Sequence, residues 1–174
     1  MSKIKIVVVG GGWGGCAAAI AAVKAGAEAV LLERTDMLLG TGLVGGIYRN
    51  NGRQTAAEEM TTLGGGDLFH VMDECAGHKN IEFPGHAHAS LYNVYEIEPA
   101  VRKCLAGLGV KVVANASVVK IDKKEGKVLS VVTRDGAVYE ADAFVDATGT
   151  SAVPGNCVKY GNGCAMCILR CHSF

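Results

Sequence analysis

A glycine-rich turn near the start of the chain limits the folds it can adopt more than any other feature. Glycine occupies the three fixed positions of a G-x-G-x-x-G pattern, namely Gly10, Gly12 and Gly15. A β-branched run over residues 4–9 precedes the turn, and an alanine-rich run over residues 16–24 follows it. A second apolar run over residues 29–32 ends at Glu33. Because these runs have the residue types of strand, helix and strand, the sequence predicts a βαβ unit whose second strand ends in an acid.

The spacing of these residues suits a bound dinucleotide. Gly10 allows a sharp turn out of the strand, Gly12 lets the backbone approach a pyrophosphate, and Gly15 lets the helix pack closely on the strand. The helix N-terminus offers free N–H groups and a partial positive charge to the phosphates. Glu33 can accept hydrogen bonds from a ribose. A glycine-rich turn that binds nothing is the alternative, and the complete order of parts argues against it.

A second glycine-rich segment follows the βαβ unit. Four of residues 40–46 are glycine, which disfavours the interior of a helix or strand. We expect a loop whose backbone approaches a ligand, because Leu38 and Leu39 are too apolar for a flexible surface loop. Between the two segments, Arg34 could contact ribose and adenine or favour a 2′-phosphate. We prefer the first, since Glu33 would repel a 2′-phosphate.

Length, charge and cysteine usage narrow the class of protein. The 174 residues suffice for one domain with a buried core, and 49% of them are hydrophobic. Lysine plus arginine and aspartate plus glutamate number 17 each, so we expect neither a nucleic-acid partner nor a membrane partner. No apolar run is long enough to span a bilayer, and the charged start leads directly into the first strand. We therefore expect a cytoplasmic protein without a signal peptide.

The middle of the chain is predicted to be an insertion of helices and loops over residues 47–95. Periodicity predicts one helix over residues 55–63 and a second over residues 68–75, with Asp67 as the capping residue of the second.

Helix and strands alternate in the next part of the chain. A helix is predicted over residues 99–106 and a strand over residues 110–114. Residues 127–140 are predicted to form a hairpin with a turn at Asp135 and Gly136, and residues 143–146 a buried strand.

These motifs together resemble the FAD flavoproteins of the glutathione-reductase type, which have two dinucleotide-binding domains. More narrowly, the chain is similar to FAD-dependent oxidoreductases that begin with a glycine triplet, continue to a Glu-Arg pair and carry a Leu-Gly…Gly-Leu-Val-Gly loop. The resemblance implies an α/β fold, a Rossmann-like FAD-binding domain with a parallel sheet, crossover helices and a β-meander. We expect this domain over residues 1–156, with the insertion facing the substrate side.

The resemblance also implies which residues contact FAD. In that family the first glycines cradle the pyrophosphate, the acid holds the ribose, and the second glycine loop lies along the ribityl chain and flavin. The corresponding residues are Gly10, Gly12, Trp13, Gly14, Gly15, Glu33, Arg34, Gly40, Thr41 and Gly42.

Two later segments are implied as well. The backbone of a valine holds the adenine edge in the family, and Val118 corresponds to it, with Val119 as the neighbouring alternative. An Ala-Thr-Gly segment returns to the cofactor, and it corresponds to Ala147, Thr148 and Gly149. Gly149 is expected where a side chain would collide with the cofactor or the first glycine turn.

Catalytic residues are harder to predict. Residues 83–89 are expected to form a polar loop, and its His86 and His88 would share a face of an extended chain. They could contact substrate or flavin, or belong to a solvated loop. No other residue suggests a general acid or base.

Four cysteines fall within residues 157–174, a segment that we treat separately from the FAD-binding domain. Their spacing is C-x6-C-x2-C-x3-C, at Cys157, Cys164, Cys167 and Cys171. Dense thiolates favour an iron–sulfur cluster or another soft metal, with zinc as a second option. A redox dithiol of Cys164 and Cys167 is a third option, and a segment without a ligand is a fourth.

The resemblance implies the N-terminal part or a subunit of an FAD-dependent oxidoreductase. Such proteins continue into a substrate domain and return with a Gly-Asp pair that binds FAD, which these residues lack. We therefore expect a second subunit or a further half of the protein, together with a small-molecule substrate or redox partner. Two alternatives stay open: an electron-transfer or scaffold subunit with FAD and an iron–sulfur cluster, and an NAD(H)-binding or nucleotide-sensing domain.

Overall fold

The computed structural model describes residues 3–40, 42–49 and 52–149. In chain order its elements are β1 (Lys5–Val9), α1 (Trp13–Lys24), β2 (Glu28–Leu32), α2 (Gly42–Gly45), β3 (Ile47–Arg49), α3 (Gly52–Thr62), α4 (Asp67–Glu74), β4 (Ala76–Phe83), β5 (His86–Tyr92), α5 (Ile97–Gly107), β6 (Lys111–Val113), β7 (Val118–Lys124), β8 (Lys127–Thr133), β9 (Val138–Glu140) and β10 (Ala143–Asp146).

A parallel sheet of four strands, in the order β10-β1-β2-β6, forms the centre of the described fold. Val8 of β1 pairs in register with Leu31 of β2 and with Val145 of β10. Both Val7 and Val8 are fully buried, because consecutive residues of a strand point to opposite faces and both faces are covered. This confirms the predicted βαβ unit and the Rossmann-like fold class.

Each face of the sheet packs against different elements. On one face, Val8 and Leu31 pack with Ile20 of α1 and Leu105 of α5. On the other face, the sheet residues Val7 and Val30 form a smaller cluster with Val131 of β8. Strands β7, β8 and β9 form the predicted antiparallel meander, and the turn at Asp135 and Gly136 lies between β8 and β9. The meander therefore covers one face of the nucleotide-binding sheet.

The insertion contains a sheet that the sequence analysis missed. Strands β3, β5 and β4 form a three-stranded antiparallel sheet beside α3 and α4. The prediction of a loop over residues 83–89 was wrong, because most of that segment belongs to the β4–β5 hairpin, which turns at Pro84 and Gly85. The hairpin is irregular, with register shifts between its pairs and a positive φ at Asn80 and His88. These irregularities break the alternation that identifies a strand in sequence.

Two further local predictions need correction. Asp67 does not cap α4, since the N-cap residue is Gly66; the Asp67 carboxylate instead forms an ion pair with Lys24 at 2.8 Å. Strand β10 is only partly buried, because it lies at the edge of the described sheet.

None of the helices in the described part of the chain is long and apolar enough to cross a membrane.

Candidate cofactor site

The first glycine turn lies between the carboxyl end of β1 and the N-terminus of α1. Gly10 has a φ of +103°, and its N–H donates to the carbonyl oxygen of Leu32 at 2.8 Å. A methyl group at Gly10 would lie 2.5 Å from the carbonyl oxygen of Ala147. At Gly15 a methyl group would overlap the carbonyl oxygen of Gly10. Both glycines are therefore required by the contact between strand, helix and return strand.

Gly12 has a different environment. It is the N-cap of α1, with extended backbone angles and no side chain to cap the helix. A methyl group at Gly12, or at Gly14 in the first turn, would meet no atom of the described residues within 4 Å. The first amides of α1 thus face an open space where a phosphate fits, since a helix N-terminus favours negative charge.

Glu33 organises the turn from the end of β2. Its side chain is buried, and Oε2 accepts the N–H of Gly11 at 2.7 Å. Oε1 accepts both the N–H and the hydroxyl of Thr35 at 2.9 Å. A carboxylate has about four acceptor positions, so three protein donors leave room for about one ribose hydroxyl. The neighbouring Arg34 is exposed.

The second glycine loop is hydrogen-bonded to the first. The N–H of Leu39 donates to the carbonyl oxygen of Gly11 at 2.7 Å, and Leu39 and Gly12 form an isolated parallel bridge. Leu39 and Gly40 have φ values of +74° and +53°. A methyl group at Gly40 would lie 3.7 Å from the Cα of Gly12, so the two loops are in contact beside the open space. Thr41 lies outside the described residues.

An aromatic cluster holds the far end of the second loop. A methyl group at Gly42 would overlap the indole of Trp13, which leaves only glycine compatible with this contact. The Tyr92 hydroxyl donates to the carbonyl oxygen of Gly42, and the Tyr92 ring lies 5.6 Å from that of Trp13 and 5.8 Å from that of Tyr48. The Tyr48 hydroxyl donates to Asp73 at 2.7 Å. Burial and this bond raise the pKa of Tyr48.

The structure adds an ion pair between a buried glutamate and a partly exposed arginine that the sequence did not predict. Glu98 is 7% exposed, and its Oε1 accepts the N–H of Leu38 at 3.1 Å and the guanidinium of Arg102. Arg102 also donates to the carbonyl oxygen of Asp36 at 2.9 Å. The signal in the sequence is a glutamate four residues before an arginine on a helix, which is common on exposed faces and so points to no site by itself.

The predicted adenine segment lies beside Glu33. The N–H of Ala116 donates to the carbonyl oxygen of Glu33 at 2.8 Å, which places the start of β7 next to the end of β2. Val118 packs against the smaller core cluster, whereas Val119 is 57% exposed.

The return segment, residues 147–149, also contacts the first glycine turn. The N–H of Ala147 donates to the carbonyl oxygen of Val9 at 2.8 Å, and the carboxylate of Asp146 accepts the N–H of Thr148 at 3.0 Å. The Thr148 hydroxyl and the Thr148 N–H, which both donate to this carboxylate, lower the pKa of Asp146. Among the described residues, no atom lies within 4 Å of a methyl group at Gly149, so the glycine turn does not require this glycine. The collision of a side chain there with the cofactor stays a prediction. Gly149 itself has a φ of +64°.

Among the other candidates, the structure describes the side chain of His88. His88 is exposed, and its Nδ1 lies 2.8 Å from the Asn80 side chain on the β4–β5 hairpin. The His86 side chain lies outside the described features. So do the four cysteines, Cys157, Cys164, Cys167 and Cys171, and no group of His, Cys, Asp and Glu side chains among the described residues could hold a metal ion.

Comparisons with known proteins agree with this geometry. A family model described as glucose inhibited division protein A matches residues 5–174. The tRNA uridine 5-carboxymethylaminomethyl modification enzyme MnmG of Thermodesulfovibrio yellowstonii is 29% identical over 158 residues, which are 83% of this chain and 24% of the relative.

Solved structures share the fold. Aquifex aeolicus GidA superposes with a TM-score of 0.64 at 21% identity, over 83% of this chain and 24% of that one. The Diels-Alderase PyrE3 of pyrroindomycin biosynthesis gives a TM-score of 0.64 at 21% identity, over 86% of this chain and 33% of that one.

The present chain thus spans about a quarter of the length of its curated relative. The family model, by contrast, extends over nearly all of the chain, from the first strand onwards. The open, glycine-lined helix terminus and the bonded second loop are features that suit a dinucleotide. The chain therefore belongs to the glucose inhibited division protein A family of FAD-binding flavoproteins.

Proposed function

We propose that this chain is the FAD-binding part of a flavin-dependent oxidoreductase. The observation that carries the proposal is the bond from the Leu39 N–H to the Gly11 carbonyl, which joins two glycine loops around the open space at Gly12. One loop alone would suit any dinucleotide. A second loop attached to the first gives the extended backbone surface that the longer flavin end of FAD requires.

Each part of the site has a role toward FAD in this proposal. The first turn of α1 holds the pyrophosphate, and the acceptor capacity left on Glu33 holds a ribose hydroxyl. The backbone near Val118 holds the adenine edge, and the loop around Gly40 and Gly42 lies along the ribityl chain and flavin. The bound flavin supplies hydride or electron transfer, while the protein contributes binding and orientation.

We further propose that the redox chemistry serves the modification of uridine in tRNA. Support comes from the family and from the 29%-identical relative, which is a tRNA uridine modification enzyme. This substrate departs from the expectation of no nucleic-acid partner. A net charge of zero predicts that this segment itself contributes few phosphate contacts, so the RNA would be held mainly by the rest of a longer protein or by a partner subunit.

The test is reconstitution of the purified chain with FAD, followed by removal of free cofactor. Retained flavin absorbance that an anaerobic reductant bleaches and air restores would support the proposal, whereas retention of NADH but not FAD would overturn it.

A filter-binding titration with tRNA at two salt concentrations separates the substrate assignment from the cofactor assignment. Iron and sulfide analysis of the same anaerobic sample tests the predicted cysteine cluster.

A further inference from the structure

Two residues of α5 hold the turn that connects the glycine loops. Glu98 lies in the first turn of α5, 60 positions from Leu38 in sequence, yet its carboxylate accepts the Leu38 N–H at 3.1 Å. Arg102, one helical turn later, contacts the same carboxylate and donates to the carbonyl oxygen of Asp36 at 2.9 Å. The ion pair thus binds one donor and one acceptor of the turn at the same time.

This turn has a conformation that requires support. Leu39 has a φ of +74°, which a residue with a Cβ adopts at a cost of about 1–2 kcal/mol. The turn is therefore stable only where its hydrogen bonds and burial favour it. Those bonds include the one from the Leu38 N–H to Glu98 and the one from the Leu39 N–H to the Gly11 carbonyl oxygen. Leu38 and Leu39 are buried, so an unpaired N–H there would be costly.

We infer that Glu98 and Arg102 are positioning residues of the cofactor site. They fix residues 36–39 so that Gly40 stays against Gly12 before the cofactor arrives, which preorganises the flavin side of the site. This inference rests on the proposed function, because the two residues would position a loop that contacts FAD. Among the described residues, Arg102 donates to no atom of the first glycine turn and Glu98 accepts none of its N–H groups. In that turn the first amides of α1 and Glu33 serve the ADP half.

Comparison of two ligands gives a test that loss of stability alone would not satisfy. FAD and ADP share the pyrophosphate and ribose, but only FAD extends along the second loop. Glu98→Ala should weaken FAD binding at least about tenfold, the scale of one lost charge-assisted hydrogen bond, while ADP binding changes less than about twofold. Glu98→Gln keeps an acceptor for the Leu38 N–H and should retain part of the FAD affinity. Binding can be followed through Trp13, the only tryptophan in the sequence.

Two controls keep the test decisive. Val131→Ala removes buried apolar area from the opposite face of the sheet, so it should lower the thermal midpoint without changing the ratio of the FAD and ADP dissociation constants. Should Glu98→Ala fail to fold, Arg102→Lys keeps the charge but loses the fork that reaches Asp36. That variant should raise the FAD dissociation constant about threefold with unchanged ADP binding.

Hydrogen exchange and the two ligand affinities separate the positioning role of Glu98 and Arg102 from the proposed FAD function. Hydrogen exchange of the ligand-free protein should become faster at residues 36–39 in Glu98→Ala and stay unchanged in the meander. Equal losses of FAD and ADP affinity, or unchanged FAD affinity, would overturn the positioning role alone. A wild-type chain that binds ADP but not FAD, or neither ligand, would overturn the proposed function and the cofactor role of this ion pair with it.

Discussion

At Gly15 a methyl group would overlap the carbonyl oxygen of Gly10, whereas at Gly14, one residue earlier, it would have no described atom within 4 Å. Gly15→Ala should therefore destabilise the fold by about 3 kcal/mol or more, since strand and helix must move apart. Gly14→Ala should be neutral or stabilising by up to about 1 kcal/mol through helix propensity. Denaturant unfolding of both variants measures the difference. Equal stabilities of the two variants would contradict the packing described for this turn.

The Cys16 thiol gives a prediction for the effect of pH on stability. Burial, with smaller contributions from Glu33 and Glu98, raises the pKa of Cys16 from 9.0 to about 12. Above pH 9 the thiol ionises in the unfolded state but stays protonated in the folded state, which favours unfolding. The contribution of Cys16 to the free energy of unfolding is therefore complete below pH 9 and is lost as the pH rises toward 12. Between pH 8.5 and 10 the free energy of unfolding should fall by about 1 kcal/mol because of this thiol.

The measurement for Cys16 is a difference between two proteins, because tyrosine and lysine also titrate in this range. The free energy of unfolding of the wild type minus that of Cys16→Ala should fall as the pH rises from 8.5 to 10. A difference that does not change with pH would show that the thiol is not buried as described.

At the residue scale, the sequence predicted the fixed glycines and Glu33 because backbone geometry leaves few alternatives at those positions. It did not predict Glu98 or Tyr92. Their roles depend on contacts with residues 60 and 50 positions away, and periodicity carries no information on such pairs.

At the element scale, the Tyr92 hydroxyl of β5 supplies one of the hydrogen bonds that hold the short helix α2. Tyr92→Phe keeps the ring beside Trp13 but removes the bond to the Gly42 carbonyl, so stability should fall by about 1 kcal/mol. Tyr95→Phe is the matched control, because Tyr95 is 87% exposed. Thermal unfolding and the emission maximum of Trp13 measure both effects. A larger effect of Tyr95→Phe than of Tyr92→Phe would contradict the role of Tyr92.

Element predictions succeeded where an apolar run continues without interruption. The strands β1 and β2 and the helix α1 were predicted because their runs are apolar and bounded by glycine or an acid. The β4–β5 hairpin was missed, since its register shifts and its positive φ at Asn80 and His88 remove the alternation. His88 therefore lies in an irregular strand, where the polar character of the segment suggested a loop.

At the scale of the whole molecule, the meander and the central sheet share one small core. Val131 is 2% exposed in that cluster, whereas Val138 on the neighbouring strand β9 is 59% exposed. Val131→Ala should cost about 2 kcal/mol, and Val138→Ala less than about 0.5 kcal/mol. Urea unfolding of the two variants provides the comparison. Similar midpoints would mean that the meander does not depend on this cluster.

The overall topology followed from the order of the elements, but the assembly of the site did not. A strand–helix–strand unit with a meander and a return strand leaves few arrangements of a parallel sheet. The bond between the two glycine loops, by contrast, depends on the left-handed conformation of Leu39, which its residue type disfavours. The structure thus supplies the connection between two motifs that the sequence could only place in order.

Equilibrium dialysis shows whether the joined glycine loops form an FAD site. It compares the dissociation constants for FAD of the wild type and of Gly12→Ala. A methyl group at Gly12 meets no atom within 4 Å in the described part of the chain and would occupy the space assigned to the pyrophosphate. We expect a stoichiometric FAD complex for the wild type and at least about tenfold weaker binding for Gly12→Ala, with unchanged unfolding midpoints of the cofactor-free proteins. Equal FAD affinities of the two proteins would contradict the assignment of this FAD site.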